Sequence, residues 1–239
     1  SSTVYLHCSN KARELKSKSA IEKLLAIGVS TIDKAKFGSL DPLPNARSES
    51  MTVCRQYEVS ECLIDADARR SAVISKLRSA DVVHIASHYM VYDKSPMQSQ
   101  LLLTNEGGGQ GRGETDTLKA HEIYAEYRKP GSRTRLAVLS SCDSGVESYL
   151  DGEGMIGMSR IFIASDIPLV VASLWQVDSR ATEHLMVKLH TYRKKSPENM
   201  TTVNALGKAQ REMIASGDSQ FSRPGYWAGF ILIGGRADF

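Results

Sequence analysis

DVVHIASHY, residues 81–89, and RLAVLSSCDSG, residues 135–145, are the two stretches that decide the predicted fold. Each begins with a short, mostly apolar run, which is typical of a strand buried on both faces. The first run ends at His88 and the second at Cys142. Strands of this kind occur mainly in parallel sheets that helices cover on both sides. The sequence therefore predicts such a sheet, with His88 and Cys142 at the ends of two of its strands.

Further apolar runs alternate with helical patterns along the rest of the chain, which is the arrangement of an α/β fold. Predicted strands span residues 24–29, 61–65, 101–104, 168–174 and 229–234. Predicted helices span residues 46–58, 66–79, 117–128, 153–165, 178–195 and 201–216, with Thr117 and Asp178 as candidate N-caps. Residues 1–20 stay largely unassigned. Nothing repeats and no linker divides the chain, so we predict a single domain over residues 1–239.

Composition narrows the function classes. The chain has 239 residues, 41% of them hydrophobic, with 24% charged residues and a net charge of +3. This balance gives no reason to expect nucleic acid or an anionic membrane as the main partner. No apolar run reaches the length of about 20 residues that spans a bilayer, and no secretory signal opens the sequence. We therefore expect a soluble, cytoplasmic domain.

The four cysteines stand at positions 8, 54, 62 and 142, without a C-x-x-C pair or a histidine cluster nearby. Four scattered cysteines in a chain of this length suit a reducing compartment, so a disulfide framework is not expected. Their spacing also does not match a structural zinc site. We predict four separate thiols, no metal and no cofactor.

Sites in open α/β sheets gather beyond the carboxyl ends of the strands. His88 and Cys142 are 54 residues apart, which leaves room for a crossover that contains the helix at 117–128. A free thiol has a pKa of about 8.5, and a nearby imidazole can take its proton. A tight turn after Cys142, over Asp143, Ser144 and Gly145, would let the backbone N–H of Cys142 face an oxyanion. The alternative is that Cys142 is a small buried hydrophobe, as a lone cysteine at a strand end usually is.

The same residues resemble a known family, the CHAT domain, a caspase-like peptidase module that often follows tetratricopeptide repeats and is related to caspases and separases. HIASHY is similar to the family's H-x-A-T-H-G, and LSSCDSG to its L-S-A-C-x-[ST]-G. Further resemblances cover roughly residues 24–234 in the family's order: DPLPNARSE at 41–49, DGEGMIGMSRIFIAS at 151–165, VVASLWQVDSRATEHLM at 170–186 and WAGFILIG at 227–234.

The resemblance implies a caspase-hemoglobinase-like three-layer sandwich, with a mainly parallel sheet and an antiparallel edge strand. It also implies a cysteine peptidase. Cys142 would be the nucleophile, His88 its proton-transfer partner, and the backbone N–H groups of Cys142 and Tyr89 the oxyanion hole. The family usually has Gly where this chain has Tyr89. If that peptide needs a positive φ, the tyrosine would be strained there.

Four further residues each have two interpretations. Related separases use an acidic residue near a similar LW segment to accept a basic substrate side chain, so Asp178 either binds substrate or only caps a helix. Trp175 either lines the substrate pocket or packs in the ordinary way. Asp143 either orients substrate or forms a turn. His84 either supports the site or is a hydrogen-bonded core histidine.

The leading hypothesis is an endopeptidase that acts on a protein or peptide substrate in a bacterial-type signalling or defence pathway, under the control of an attached repeat domain or a separate partner. Residues 143–154 are short for a cleavable linker, which favours activation by a partner. A caspase-like binding module without catalysis is the alternative, and Tyr89 favours it. A nucleotide-binding domain is disfavoured because GGGQGRG at 107–113 lacks the G-K-[ST] ending of a phosphate loop and is typical of a flexible loop.

Overall fold

The computed structural model describes residues 2–16, 21–38, 40–92, 95–104, 116–140, 156–195, 200–218 and 220–236. Within these ranges the strands are β1 (Lys23–Gly28), β2 (Val59–Ile64), β3 (Val82–Ala86), β4 (Tyr89–Met90), β5 (Gln100–Leu102), β6 (Thr117–Lys119), β7 (Leu136–Leu139), β8 (Leu169–Ser173) and β9 (Phe230–Gly234). The helices are α1 (Ser2–Lys16), α2 (Pro44–Cys54), α3 (Arg70–Leu77), α4 (Ala120–Tyr127), α5 (Ile156–Ala164), α6 (Ser179–Lys195) and α7 (Thr202–Ala215).

Six strands form the central sheet, in the order β2-β1-β3-β7-β8-β9. All neighbouring pairs are parallel except β8–β9, which is antiparallel. Every residue of β3, β7 and β8 is buried, as the continuous apolar runs predict for strands covered on both faces. The predicted mainly parallel sheet with an antiparallel edge strand is confirmed.

Helices cover the two faces of this sheet, and the sheet separates two hydrophobic cores. On one face, α3, α4 and α5 pack together with the small antiparallel sheet β4-β5-β6. On the other face, α2, α6 and α7 pack against the sheet together with Ala12 of α1. The result is the three-layer α/β/α sandwich that the resemblance implies. Within the described ranges, no helix combines the length and the apolar composition needed to cross a bilayer.

The structure departs from the prediction at the start of α4 and in the first 20 residues. The helix predicted at 117–128 begins only at Ala120, because Thr117 pairs with Leu102 in the small sheet. Thr117 is therefore not the N-cap, and the Glu122 carboxylate instead accepts a hydrogen bond from the backbone N–H of Lys119 at 2.9 Å. The largely unassigned first 20 residues contain α1, whose buried side chains include Cys8, Ala12 and Leu15.

The expectation of four separate thiols is wrong for one pair of cysteines. Cys54, the last residue of α2, forms a disulfide with Cys62 in β2, and their Cα atoms are 6.3 Å apart. The two cysteines are eight residues apart, and they meet because the chain turns after α2 and runs back beside it as the edge strand of the sheet. Cys8 is the free cysteine of the described residues, and it is buried.

Candidate active site

The ends of β3 and β7 lie side by side at the carboxyl edge of the sheet. In this parallel pair Ile85 is opposite Leu139. The backbone N–H of Ser140 then donates to the carbonyl of Ile85 at 2.8 Å. His88 and Cys142 each come three residues after the Ile85–Leu139 pair. The predicted pairing of the two strands that lead to these residues is therefore present as far as residue 140.

His88 is only 1% exposed, and its Nε2 is 2.8 Å from the backbone carbonyl oxygen of Asp41. A carbonyl oxygen only accepts hydrogen bonds, so Nε2 carries the proton and Nδ1 carries the lone pair. Burial lowers the pKa of His88 below its ordinary value of 6.5, although the hydrogen bond to Asp41 acts in the opposite direction. The imidazole is therefore neutral at pH 7, and Nδ1 is the nitrogen able to take a proton from a thiol.

The carbonyl of Asp41 is held by the loop between β1 and α2. The N–H of Leu43 donates to the carbonyl of Ser30 at 3.2 Å. The N–H and the hydroxyl of Ser30 both donate to one carboxylate oxygen of Asp65, each at 2.8 Å. Leu43 also packs against the strand that leads to His88. A continuous set of contacts thus connects Asp65 at the end of β2 to the imidazole.

Asp65 has an unusual backbone conformation for a residue other than glycine. Its φ is 45°, in the left-handed region that few non-glycine residues other than Asn and Asp enter. Burial alone would raise the pKa of its carboxyl, but hydrogen bonds from Ser30 and from Arg47, which is 2.8 Å away, lower the pKa below the ordinary range. Asp65 is therefore an ionised anchor for the loop that carries Asp41. Sequence reasoning singled out neither aspartate. The resemblance of DPLPNARSE was the signal available for Asp41.

Tyr89 does not have the strain that its replacement of glycine suggested. Among the described residues, the non-glycine positions with positive φ are Asp65 and Asp166. Tyr89 instead begins β4, opposite Leu101, with its side chain 2% exposed in the core. The condition under which Tyr89 would be strained, a positive φ, is therefore not met, because the residue continues as extended strand and buries its ring.

Cys142 and Asp143 lie outside the described residues, as do the Gly-rich stretch 107–113 and residues 143–154. The predicted role of Cys142 as nucleophile, the oxyanion N–H groups of Cys142 and Tyr89, and the role of Asp143 therefore stay predictions. The described part of the site consists of His88, the contacts that hold it and the strand that leads to Cys142.

Trp175 and Asp178 follow β8 at the same edge of the sheet. The Trp175 indole N–H donates to the carbonyl of Gly225 at 3.2 Å, while 39% of the residue is exposed. A side chain at Gly229 would come within 2.9 Å of the indole ring, so Gly229 makes room for it. Asp178 accepts a hydrogen bond from the N–H of Ala181 at 2.9 Å, which confirms it as the N-cap of α6. Neither contact tests a role in binding substrate.

His84 is a buried core histidine. Its Nε2 is 2.9 Å from a carboxylate oxygen of Glu49, and its Nδ1 is 3.3 Å from Nε2 of His190. The neighbouring His190 is held by the Tyr57 hydroxyl at 2.8 Å, and burial lowers its pKa well below the ordinary value. His84 therefore lies buried between Glu49 and His190, as the core interpretation predicts, although the approach of its Nε2 to Glu49 lacks hydrogen-bond geometry. These side chains lie on the α2–α6 face of the sheet.

No cluster of three or more His, Cys, Asp or Glu side chains suited to a metal ion occurs in the described ranges. The chemistry that this edge can supply from its described residues is proton transfer by a neutral, oriented imidazole.

Similar sequences of known proteins identify the family of this chain. The CHAT domain family model matches residues 2–235. Tetratricopeptide repeat protein 28 from Homo sapiens is 26% identical over 222 residues, which is 81% of this chain and 8% of that protein. The Mus musculus protein of the same name is 25% identical over 224 residues, or 81% of this chain and 9% of that protein. The chain therefore spans less than a tenth of the length of these relatives.

Two solved structures have the same fold. The Arg-specific cysteine proteinase gingipain R has a TM-score of 0.54 with 9% identity, covering 90% of this chain and 46% of that one. The complex of the pro- and mature domains of RgpB from Porphyromonas gingivalis gives 0.53 with 8% identity, covering 90% and 47%. At this identity the likeness establishes the fold alone. The match over nearly the whole sequence establishes that the chain belongs to the CHAT domain family, on a caspase-like fold.

Proposed function

We propose that this chain is a cysteine endopeptidase in which Cys142 attacks the substrate and His88 transfers the proton. The observation that carries the proposal is the state of His88: a buried, neutral imidazole whose Nε2 proton is fixed on the carbonyl of Asp41, leaving Nδ1 as its basic nitrogen. A general base needs such an arrangement. The strand pairing that leads to Cys142 also supports the proposal.

The reaction has two halves. The Cys142 thiol gives its proton to Nδ1 of His88, and the thiolate attacks the scissile carbonyl carbon. The negative charge then moves to the carbonyl oxygen, which the backbone N–H groups of Cys142 and Tyr89 stabilise. The C–N bond breaks as the imidazolium of His88 protonates the leaving amine, which leaves an acyl-thioester. Water activated by His88 hydrolyses this thioester and restores the thiol.

Substrate recognition is assigned to the segment after β8. The exposed part of the Trp175 ring would contact the substrate, since its indole N–H already has a partner. Asp178 would accept a basic substrate side chain with the carboxylate oxygen that does not cap α6, and Asp143 would orient the substrate or its loop. Gingipain R, which shares the fold, is an Arg-specific proteinase, and a preference for a basic side chain here is part of the proposal.

We further propose that a repeat domain or a partner protein controls the activity, in a signalling or defence pathway of the cytoplasm. The similarity to tetratricopeptide repeat proteins supports a regulatory repeat domain.

Labelling with a peptidyl acyloxymethyl ketone tests the proposal. We expect the wild type to be labelled at Cys142, and the variants Cys142→Ala and His88→Ala to lose labelling by at least about a hundredfold. Cys8→Ser is the matched control, because Cys8 is buried and distant in sequence from the site, and its labelling should equal that of the wild type. If the folded wild type stays unlabelled with its partner present, the catalytically silent binding module becomes the better account.

A further inference from the structure

A second reactive site lies away from His88, where the disulfide Cys54–Cys62 joins the end of α2 to the edge strand β2. The two cysteines differ in access to solvent. Cys54 is 5% exposed, whereas Cys62 is exposed on a strand that pairs in the sheet with β1 alone among the described strands. An incoming thiol therefore reaches the Cys62 sulfur from solvent, and Cys54 is the sulfur that stays inside the fold.

The disulfide forms part of a surface cavity of about 410 Å³. Besides the two cysteines, its lining includes the basic side chains Arg55 and Arg47, the latter already paired with Asp65, together with Met51 and Tyr57. No acidic side chain is among the described residues that line it. Nearby guanidinium groups stabilise a thiolate and attract anionic ligands. A cavity of this volume fits a molecule of tripeptide size.

We propose that Cys54 and Cys62 form a reversible thiol–disulfide site that exchanges with small carboxylate-bearing thiols of the glutathione class. In the oxidising direction, the Cys62 thiolate attacks a glutathione-type disulfide and expels one thiolate, which gives a mixed disulfide at Cys62. The Cys54 thiolate then attacks the Cys62 sulfur and expels the second thiolate. The two cysteine thiols lose two electrons and two protons, and the small disulfide is reduced to two thiols.

The redox state of Cys54 and Cys62 changes how α2 is attached to the sheet. Oxidation ties the last residue of α2 to β2, and reduction removes that covalent tie. The same helix carries Glu49 against His84, and the loop before it carries the Asp41 carbonyl against His88. The disulfide thus controls the tethering of the helix behind the candidate active site. The exchange itself does not depend on the proposed peptidase activity.

Redox titration with differential alkylation tests the proposal without an activity readout. The folded protein is equilibrated in buffers of increasing ratio of reduced to oxidised glutathione, quenched with an alkylating agent and analysed by peptide mass spectrometry. We expect Cys54 and Cys62 to pass together from disulfide to alkylated thiols within the range of these buffers, while the buried Cys8 remains a thiol throughout. A pair that stays oxidised in every buffer, or stays reduced in every buffer, contradicts the proposal.

The basic lining gives a second, independent test. Arg55→Gln should slow oxidation by oxidised glutathione about threefold at low ionic strength, the effect of one exposed charge on an anionic ligand. Oxidation by the uncharged hydroxyethyl disulfide should be unchanged in the same variant. Equal slowing with both oxidants, or no slowing with either, would contradict recognition of the carboxylates.

Discussion

At the amino-terminal edge of the central sheet, the buried carboxylate of Glu22 accepts hydrogen bonds from Arg135 at 2.7 Å and Arg193 at 2.8 Å. At the carboxyl-terminal edge, the buried imidazole of His88 is held by the backbone carbonyl of Asp41. Both edges bury a titratable group. The charge of Glu22 is balanced by the arginines around it, whereas His88 is kept uncharged. The first arrangement stabilises the fold, and the second keeps an imidazole neutral and oriented.

The electrostatics of the two edges follow from these partners. Burial would raise the pKa of Glu22, but the attraction of Arg193, Arg135 and Lys194 outweighs it and holds the pKa at about 2. At the other edge, burial lowers the pKa of His88, because the carbonyl that accepts from its Nε2 does not offset the loss of solvation. A buried group with opposite charges around it is fixed in one state, whereas a neutral imidazole can gain and lose a proton during a reaction.

Removing the charge at the amino-terminal edge should have the largest effect on stability. Glu22→Gln leaves the buried guanidinium groups of Arg135 and Arg193 without their carboxylate, which we expect to cost about 3–5 kcal/mol of unfolding free energy. Denaturant unfolding measures this loss. Glu14→Gln is the matched control, because Glu14 forms an exposed pair with Lys11 and should change stability by less than about 0.5 kcal/mol. Equal losses in the two variants would remove the distinction between the edges.

Acid should weaken the same edge in the wild type. The pKa of Glu22 is lowered in the folded chain, so its contribution is complete above its unfolded pKa near 4.5 and is lost as pH falls toward 2. The expected loss is about 3 kcal/mol over this interval. Denaturant unfolding at stepped pH values measures the loss. The Glu22→Gln variant should lack this component, and a wild-type curve that parallels the variant would contradict the assignment.

Loosening the carboxyl-terminal edge should reduce reactivity as well as stability. Asp65→Gly keeps the backbone conformation, since glycine adopts a positive φ without strain, but removes the acceptor for Ser30 and Arg47. If the proposed function is right, labelling of Cys142 should slow about tenfold while stability falls by about 1–2 kcal/mol. The ratio of the labelling rates of the folded wild type and the folded Asp65→Gly variant measures this slowing. Asp67→Gly, at an exposed neighbouring position, is the control, and slowing of the same size there would contradict an anchoring role.

The smallest effect is expected at the cap of α6. Asp178→Ala removes the acceptor for the N–H of Ala181 and should cost about 1 kcal/mol of stability. Asp178→Asn should restore most of it, because asparagine also caps helices. If Asp178 also accepts a basic substrate side chain, the asparagine variant should be stable yet cleave basic substrates more slowly. Thermal unfolding measures the capping role, and competition between basic and other substrates measures the binding role. A loss of stability in Asp178→Asn as large as in Asp178→Ala would contradict the capping role.

The sequence allowed the sheet to be predicted, together with the two strands that lead to His88 and Cys142, because buried parallel strands have continuous apolar runs. It allowed Asp178 to be recognised as a cap, because caps are local. It did not allow the hydrogen bond between His88 and Asp41 to be predicted, since the acceptor is a backbone carbonyl, which every residue has. It also hid the Cys54–Cys62 contact and the Glu22–Arg193 pair, which depend on how α2 and α6 pack rather than on any local pattern.

The pH dependence of Cys142 alkylation by iodoacetamide, compared between the wild type and His88→Gln, tests the central claim most directly. If His88 takes the Cys142 proton at Nδ1, the imidazolium that forms stabilises the thiolate, so Cys142 should already be reactive at pH 7, with a half-maximal rate well below the thiol pKa of about 8.5. The variant should titrate near that ordinary value. Identical curves near 8.5 in both proteins would contradict the dyad.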